Sequence, residues 1–176
     1  MKPAVDIVVH ADVSIPYLDA DVRAAVDGLR GCAVSLDDFR GGSWFATASV
    51  CGEVVGFARA VRSTATRGFT PALRALGPDR YDEWLACGLE LVEVVVGTGS
   101  RLLGIGTSLH RAVLTPARGR RAWTQLDGPD PAGTGEWLRH GGWTPVSHDR
   151  WTGATVFLDP RHPAVRDGPA SSSVVA

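Results

Sequence analysis

LELVEVVV GTGSRLLG IGTSLHRAVLT occupies residues 89–115 and reads as a strand, a glycine-rich turn and a helix. Residues 89–96 hold four valines and two leucines, which suits a pleated, largely buried position. A short apolar run of this kind also suits a buried helix. Its β-branched content, and Gly97 and Gly99 directly after it, favour the strand. The turn runs on to Gly106. Ile105, Leu109, Ala112 and Val113 then recur at helical spacing, and Pro116 stops the helix.

A glycine-rich turn that opens a helix suits an anion. The first helical N–H groups have no partner within the helix, and the macrodipole places partial positive charge there. Gly104 and Gly106 let a phosphate approach the backbone with no Cβ in the way, and Arg101 adds a cation. Two common phosphate motifs fail. Gly99 and Gly104 have the P-loop separation, but Ile105 and Gly106 follow where Lys and Ser or Thr are needed. The dinucleotide pattern G-x-G-x-x-G fails because Leu102 and Leu109 stand where its third glycine should be.

What remains is Arg101-Leu102-Leu103-Gly104-Ile105-Gly106, an R-x-x-G-x-G run at a helix start straight after an apolar strand. At these residues the chain resembles the GNAT superfamily of N-acetyltransferases, whose acetyl-CoA motif is Arg/Gln-x-x-G-x-G/A. The resemblance implies a single α/β domain over residues 1–159. Its sheet would be mixed and mostly antiparallel, with helices on both faces and a splayed cleft for acetyl-CoA. It implies that the backbone amides of Leu102, Leu103, Gly104, Ile105, Gly106 and Thr107 hold the CoA pyrophosphate. Backbone groups of Val94, Val95 and Val96 would pair with the pantetheine arm like an added strand. Thr98 departs from the family, which often has proline there. The competing reading is a strand–loop–helix corner whose glycines only turn the chain.

Composition bounds the rest. At 176 residues the chain suits one domain with a real core. Hydrophobic residues at 44% and charged residues at 21% are ordinary for a soluble globular protein. A net charge of −1 gives no basic field for nucleic acid. Cys32, Cys51 and Cys87 are odd in number and far apart, with neither metal-ligand spacing nor a disulfide framework. The first residues are broken by Asp6 and His10, so neither a signal peptide nor a membrane span is expected, and the cytoplasm is the default.

Residues 4–10 suit a first strand. Val22, Ala25, Val26 and Leu29 mark a helix over 19–29 that Gly31 ends. Residues 36–39 suit a helical turn. Residues 43–50 and 54–61 form a hairpin with Gly52 at its tip. Its Gly52-Glu53-Val54-Val55-Gly56-Phe57 resembles the GNAT hairpin, which often spells G-x-x-V-G-F. Residues 62–88 form a long connection, longer than is common in that family, with helical candidates at 71–76 and 79–87. Tyr81, Trp84 and Leu85 are spaced to dock one face. The connection is either an acceptor-side elaboration or a surface excursion. Arg118, Arg120 and Arg121 read as cations complementing a helix C-terminus rather than as CoA ligands. A strand over 121–126, a helix over 131–140 and strands from 143 and 152 follow. Residues 160–176, with three prolines and a serine run, read as a mobile tail.

The chemistry implied by the resemblance is acetyl transfer to an amine, with acetyl-CoA as co-substrate and no metal. An alkylamine with a pKa of about 10.4 must first lose a proton. Glu90 and Glu93 stand three apart on the strand, so they face opposite ways. Histone-acetyltransferase-like GNAT members carry a general-base Glu on this strand, and the ungapped register from Arg101 puts it at Glu90. Glu90 is therefore the catalytic candidate and Glu93 the second choice. A Glu90 that is merely exposed or ion-paired is the alternative. The family's later signature is roughly N-x-x-A-x-x-L-Y-x-K-x-G-F. Aligned on Gly142-Trp143, it puts Pro131 at the Asn, Thr134 at the Ala and Leu138 at the Tyr that often serves as acid. Only a gap would bring Asp130 to the Asn position. His110, His140 and His148 have no evident role. The reading favours a small-molecule amine acceptor. A protein or peptide amine and a non-catalytic acyl-CoA-binding module stay open, as does a homodimer, which is common in the family.

Overall fold

The computed structural model describes residues 4–11, 20–31, 43–63, 74, 76–115, 121–130 and 133–166. The link at 32–42 with its helical turn, most of 64–75, Arg118, Arg120 and residues 167–176 lie outside them. The strands are β1 (Val5–Ala11), β2 (Ser43–Val50), β3 (Glu53–Arg62), β4 (Leu89–Val96), β5 (Ala122–Leu126), β6 (Thr144–His148) and β7 (Thr155–Leu158). They form one sheet in the order β1-β2-β3-β4-β5-β7-β6. The β1–β2, β2–β3, β5–β7 and β6–β7 ladders are antiparallel, and β4 pairs parallel with β5. The helices are α1 (Ala20–Arg30), α2 (Pro78–Arg80), α3 (Ile105–Val113), α4 (Thr134–His140) and α5 (Pro163–Arg166). Among the described residues no helix is long and apolar enough to cross a membrane.

The chain divides into two compact units, Met1–Arg62 with Leu91–Pro116 and Ser63–Glu90 with Ala117–Ala176. In the first, helices cover both faces of β1–β4. Val26 of α1 packs with Phe45 and Phe57, and Val22, Leu29 and Val95 pack against them. Val94 and Val96 point the other way, toward α3, where they are the nearest neighbours of a Cβ built on Gly106. This is the two-residue alternation of a strand covered on both sides. Ile105, Leu109 and Val113 of α3 are buried at four-residue spacing. Each contributes about 1.5–3 kcal/mol relative to exposure.

In the second unit Leu76, Tyr81, Leu85, Trp123, Ala154, Val156 and Leu158 form the core, with Trp84, Val146, Ala164 and Val165 packed against it. The helical candidate at 79–87 is α2 followed by a π-helical turn, Tyr81–Leu85, closed by Ala86 N–H donating to the Tyr81 carbonyl. That turn is pinned through its carbonyls. One Arg121 guanidinium nitrogen donates to Asp82 and Ala86, at 3.3 and 3.4 Å, and His162 Nε2 lies 2.7 Å from the Trp84 carbonyl.

Gly88, between the π-turn and β4, has no room for a side chain. A Cβ there would lie 2.6 Å from the Arg121 carbonyl oxygen and 2.9 Å from that of Leu85. Both obstacles are backbone, so Gly88→Ala should destabilise the fold by about 1–3 kcal/mol. Chemical denaturation checks this. Gly99→Ala, where nothing lies within 4 Å of the new atom, is the control and should leave the midpoint unchanged.

Residues 160–166, read from the sequence as the start of a mobile tail, are folded. His162 is 1% exposed, and its Nδ1 accepts the Ala164 N–H at 3.1 Å, which leaves Nε2 as the donor to Trp84. Composition missed this because one buried ring with both nitrogens satisfied outweighs the local proline and serine bias. Burial holds the His162 pKa below its ordinary value, aided by the Arg121 charge and opposed by the Trp84 hydrogen bond and Asp159. As pH falls through about 6.5 the unfolded chain takes up the proton first. Stability is therefore full above that pH and lost below it, down to the folded-state pKa. Urea midpoints measured from pH 7.5 to 5.5 should fall in the parent and fall less in His162→Gln.

Candidate functional site

The glycine-rich turn between β4 and α3 is shaped by two left-handed residues. Gly97 donates its N–H to the Val55 carbonyl at 2.9 Å, which ties the end of β4 to β3. A 3₁₀ turn, Thr98–Ser100, follows. Leu102 then has φ +63° and Gly104 φ +79°. For glycine this is free, but for leucine it costs about 1–3 kcal/mol. Packing offers Leu102 nothing in return, because its side chain is fully exposed, and Leu103 beside it is also exposed. No local sequence signal foretells a left-handed leucine.

Beyond this kink α3 opens onto solvent. Its first intrahelical bond is Ser108 N–H to Gly104 O at 3.0 Å, so the amides of Ile105, Gly106 and Thr107 precede it. No side chain caps them. A Cβ on Gly106 would meet only Val96 Cγ2 at 3.6 Å and Val94 Cγ1 at 4.0 Å, which are ordinary contacts. The protein's own packing therefore does not require glycine at 106. Uncapped amides, the helix dipole and two left-handed residues ahead of them are features that suit an anion. Arg101 folds back, its Nε donating to the Val96 carbonyl at 3.3 Å. Its charge thus sits beside the last strand residue, and part of its hydrogen-bonding capacity is used within the chain.

The two strand carboxylates lie in different surroundings. Glu93 Oε1 lies 3.1 Å from Arg30 Nε of α1, and Oε2 lies 3.8 Å from Nε of the buried Arg59. A carboxylate bridging two guanidinium groups is committed to the fold rather than to proton transfer. Glu90, on the other face of β4, is half-buried and in register with Trp123 of β5. Tyr81, one of the three residues spaced to dock one face, is buried in the same cluster as Trp123. Among the described residues no three His, Cys, Asp or Glu side chains converge as a metal site.

No protein-family model matches the sequence, and no curated protein matches it. Solved structures do match in shape. A chain assigned to the GNAT family of acetyltransferases, from Desulfovibrio desulfuricans, superposes with a TM-score of 0.56 at 16% identity, covering 88% of this chain and 96% of that one. An acyl-CoA N-acyltransferase from Pseudomonas aeruginosa gives a TM-score of 0.58 at 13% identity, covering 89% and 99%. This chain has the GNAT fold. The ribosomal-protein-S18-alanine N-acetyltransferase of Escherichia coli gives a TM-score of 0.54 at 12% identity, covering 96% and 100%.

Within the GNAT fold, Leu138, at the signature's Tyr position, and Asp130, which only a gap would bring to its Asn position, are structural here. Leu138 is 1% exposed and packs inside α4, so no hydroxyl is offered there. The Asp130 carboxylate caps α4, accepting the amides of Thr134 and Gly135. Chiefly the Gly135 amide, with help from Thr134 and Arg139, holds its pKa below the usual carboxylate value. His140 Nδ1 lies 2.9 Å from the Glu136 carbonyl and His148 Nδ1 2.8 Å from Thr155 Oγ1, both local contacts on exposed residues.

Proposed function

We propose that this protein is an acetyl-CoA-dependent N-acetyltransferase acting on a primary amine by direct attack in a ternary complex. The observation that carries the reading is the turn from Leu102 to Thr107. A leucine is held left-handed with its side chain in solvent, in front of helix amides that no side chain caps. Such strain points to a ligand rather than to packing. The amides of Leu102 to Thr107 would take the pyrophosphate, and the backbone of Val94 to Val96 the pantetheine arm. Arg101 would place its charge between them.

Bound acetyl-CoA supplies an activated thioester, and the remaining work falls to the chain. Backbone amides orient the donor, which converts a two-body encounter into an aligned one. Glu90 accepts a proton from the acceptor ammonium, directly or through a water, since the free amine is scarce at neutral pH. A thiol with a pKa near 8.5 on the cysteine scale leaves without an obligatory acid. That agrees with a leucine at position 138.

A small-molecule amine is the first choice of acceptor. A protein or peptide amine is the second, favoured by the likeness to an enzyme whose name gives a ribosomal protein's alanine as its acceptor. The test is free-thiol release from acetyl-CoA across a panel of amines and peptides. Release that depends on one amine class supports catalysis and chooses between the acceptors. Tight CoA binding without release from any acceptor would make the protein an acyl-CoA-binding module. Absence of CoA binding would overturn the reading of residues 101–107.

A further inference from the structure

Strand β1 ends the sheet, and among the described residues no strand pairs with its outer edge. Such an edge is a row of open N–H and C=O groups, which natural proteins guard with lysine, proline or a bulge. The run Val5–Ala11, VDIVVHA, has no lysine and no proline, and its ladder with β2 has no register shift. Val8 is 50% exposed and Val9 43%. Neighbours on a strand point to opposite faces, so apolar surface is bare on both sides of one edge. A strand laid along β1 would cover both valines and satisfy the open backbone groups.

The order of residues in β1 selects that strand. A second β1, antiparallel to the first and related to it by a two-fold axis normal to the sheet, keeps each face continuous. One residue then meets its own copy at the axis. With Val8 there, the whole of β1 overlaps, because Val8 is the middle of Val5–Ala11. Asp6 stands opposite His10, twice by symmetry, and Ile7 opposite Val9. An axis at Ile7 would set Asp6 against Val8, and an axis at Val9 would set His10 against Val8. Only the central register matches carboxylate with imidazole and apolar with apolar. Asp6 is exposed, and His10 is half-buried with its ring centroid 6.2 Å from that of Phe45. Residues directly opposite on one face have Cβ atoms about 4.5–5.5 Å apart, which lets an imidazole N–H donate to a carboxylate.

We infer that β1 pairs with β1 of a second copy of this chain, antiparallel and centred on Val8. The two sheets join edge to edge, and the Asp6–His10 pairs fix the register.

Sedimentation velocity over a dilution series of the full chain tests this. The parent should show a concentration-dependent species of twice the chain mass. Val8→Lys sets two like charges against each other at the axis, on a side chain already half in solvent. It should raise the dimer dissociation constant at least about tenfold without lowering the melting temperature of the monomer. Asp6→Lys and His10→Glu each replace an attractive pair by a repulsive one, and each should weaken the dimer. The double variant restores opposite charges at both sites and should recover it. Recovery of that kind cannot arise from a damaged fold, even where a single variant is less stable. A parent that stays monomeric at every concentration would overturn the inference. So would a dimer untouched by Val8→Lys, or single-variant losses that add in the double variant.

Discussion

Gly106→Glu should abolish acetyl-CoA binding while leaving the protein at least as stable as the parent. The new Cβ meets only ordinary contacts, with Val96 Cγ2 at 3.6 Å and Val94 Cγ1 at 4.0 Å. Glycine is the poorer helix former by about 0.8–1.0 kcal/mol, and a carboxylate in the first turn suits the dipole. The fold therefore gains slightly. Binding loses twice, because the carboxylate competes for the amides of Ile105, Gly106 and Thr107 and repels the phosphates. Forfeiting two charge-assisted hydrogen bonds alone would raise Kd about 100-fold or more. Calorimetry beside a thermal melt separates the two effects. A weakened melt with lost binding would show only a damaged helix. Unchanged binding would mean that the α3 amides do not hold the CoA phosphates.

Glu90→Gln should lower kcat about 100-fold, the lower end of what a positioned base contributes, with acetyl-CoA affinity unchanged. Glutamine matches the shape of glutamate but takes no proton. The residual rate should then follow the free fraction of the acceptor, climbing about tenfold per pH unit toward an amine pKa of about 10.4. The parent should depend on pH less steeply over that range. Rate against pH for both proteins decides this, and equal rates at pH 7 would remove Glu90 from the mechanism. Glu93→Gln serves as contrast. It removes one ionic contact from Arg30 and one from the buried Arg59, so its main effect should be on stability.

Much of the frame was legible along the chain. The valine-rich run at 89–96 is strand β4, and Ile105, Leu109 and Val113 are the buried stripe of α3. Such elements are readable because apolar periodicity and the face it buries are one fact. Gly56 was legible as part of a hairpin motif, and its reason is now visible: a Cβ there would lie 2.9 Å from the Val95 carbonyl oxygen and 3.1 Å from Leu109 Cδ1. The connection before β4 was legible only in part. Tyr81, Trp84 and Leu85 had helical spacing, but the π-turn depends on carbonyls held by Arg121 and His162 from distant chain.

By itself the sequence determined the order of strand, turn and helix, the glycine positions that allow an anion near the α3 amides, and the presence of two carboxylates on opposite faces of β4. Those follow from periodicity and from the absence of a Cβ, which are local properties. Tertiary structure decided what holds Glu93, since the arginines that bind it come from α1 and β3. It decided that Leu102 is left-handed, a conformation that leucine resists and that only the surrounding chain can impose. It also decided that Tyr81 and Trp123 share one core, because packing joins residues that no spacing rule connects.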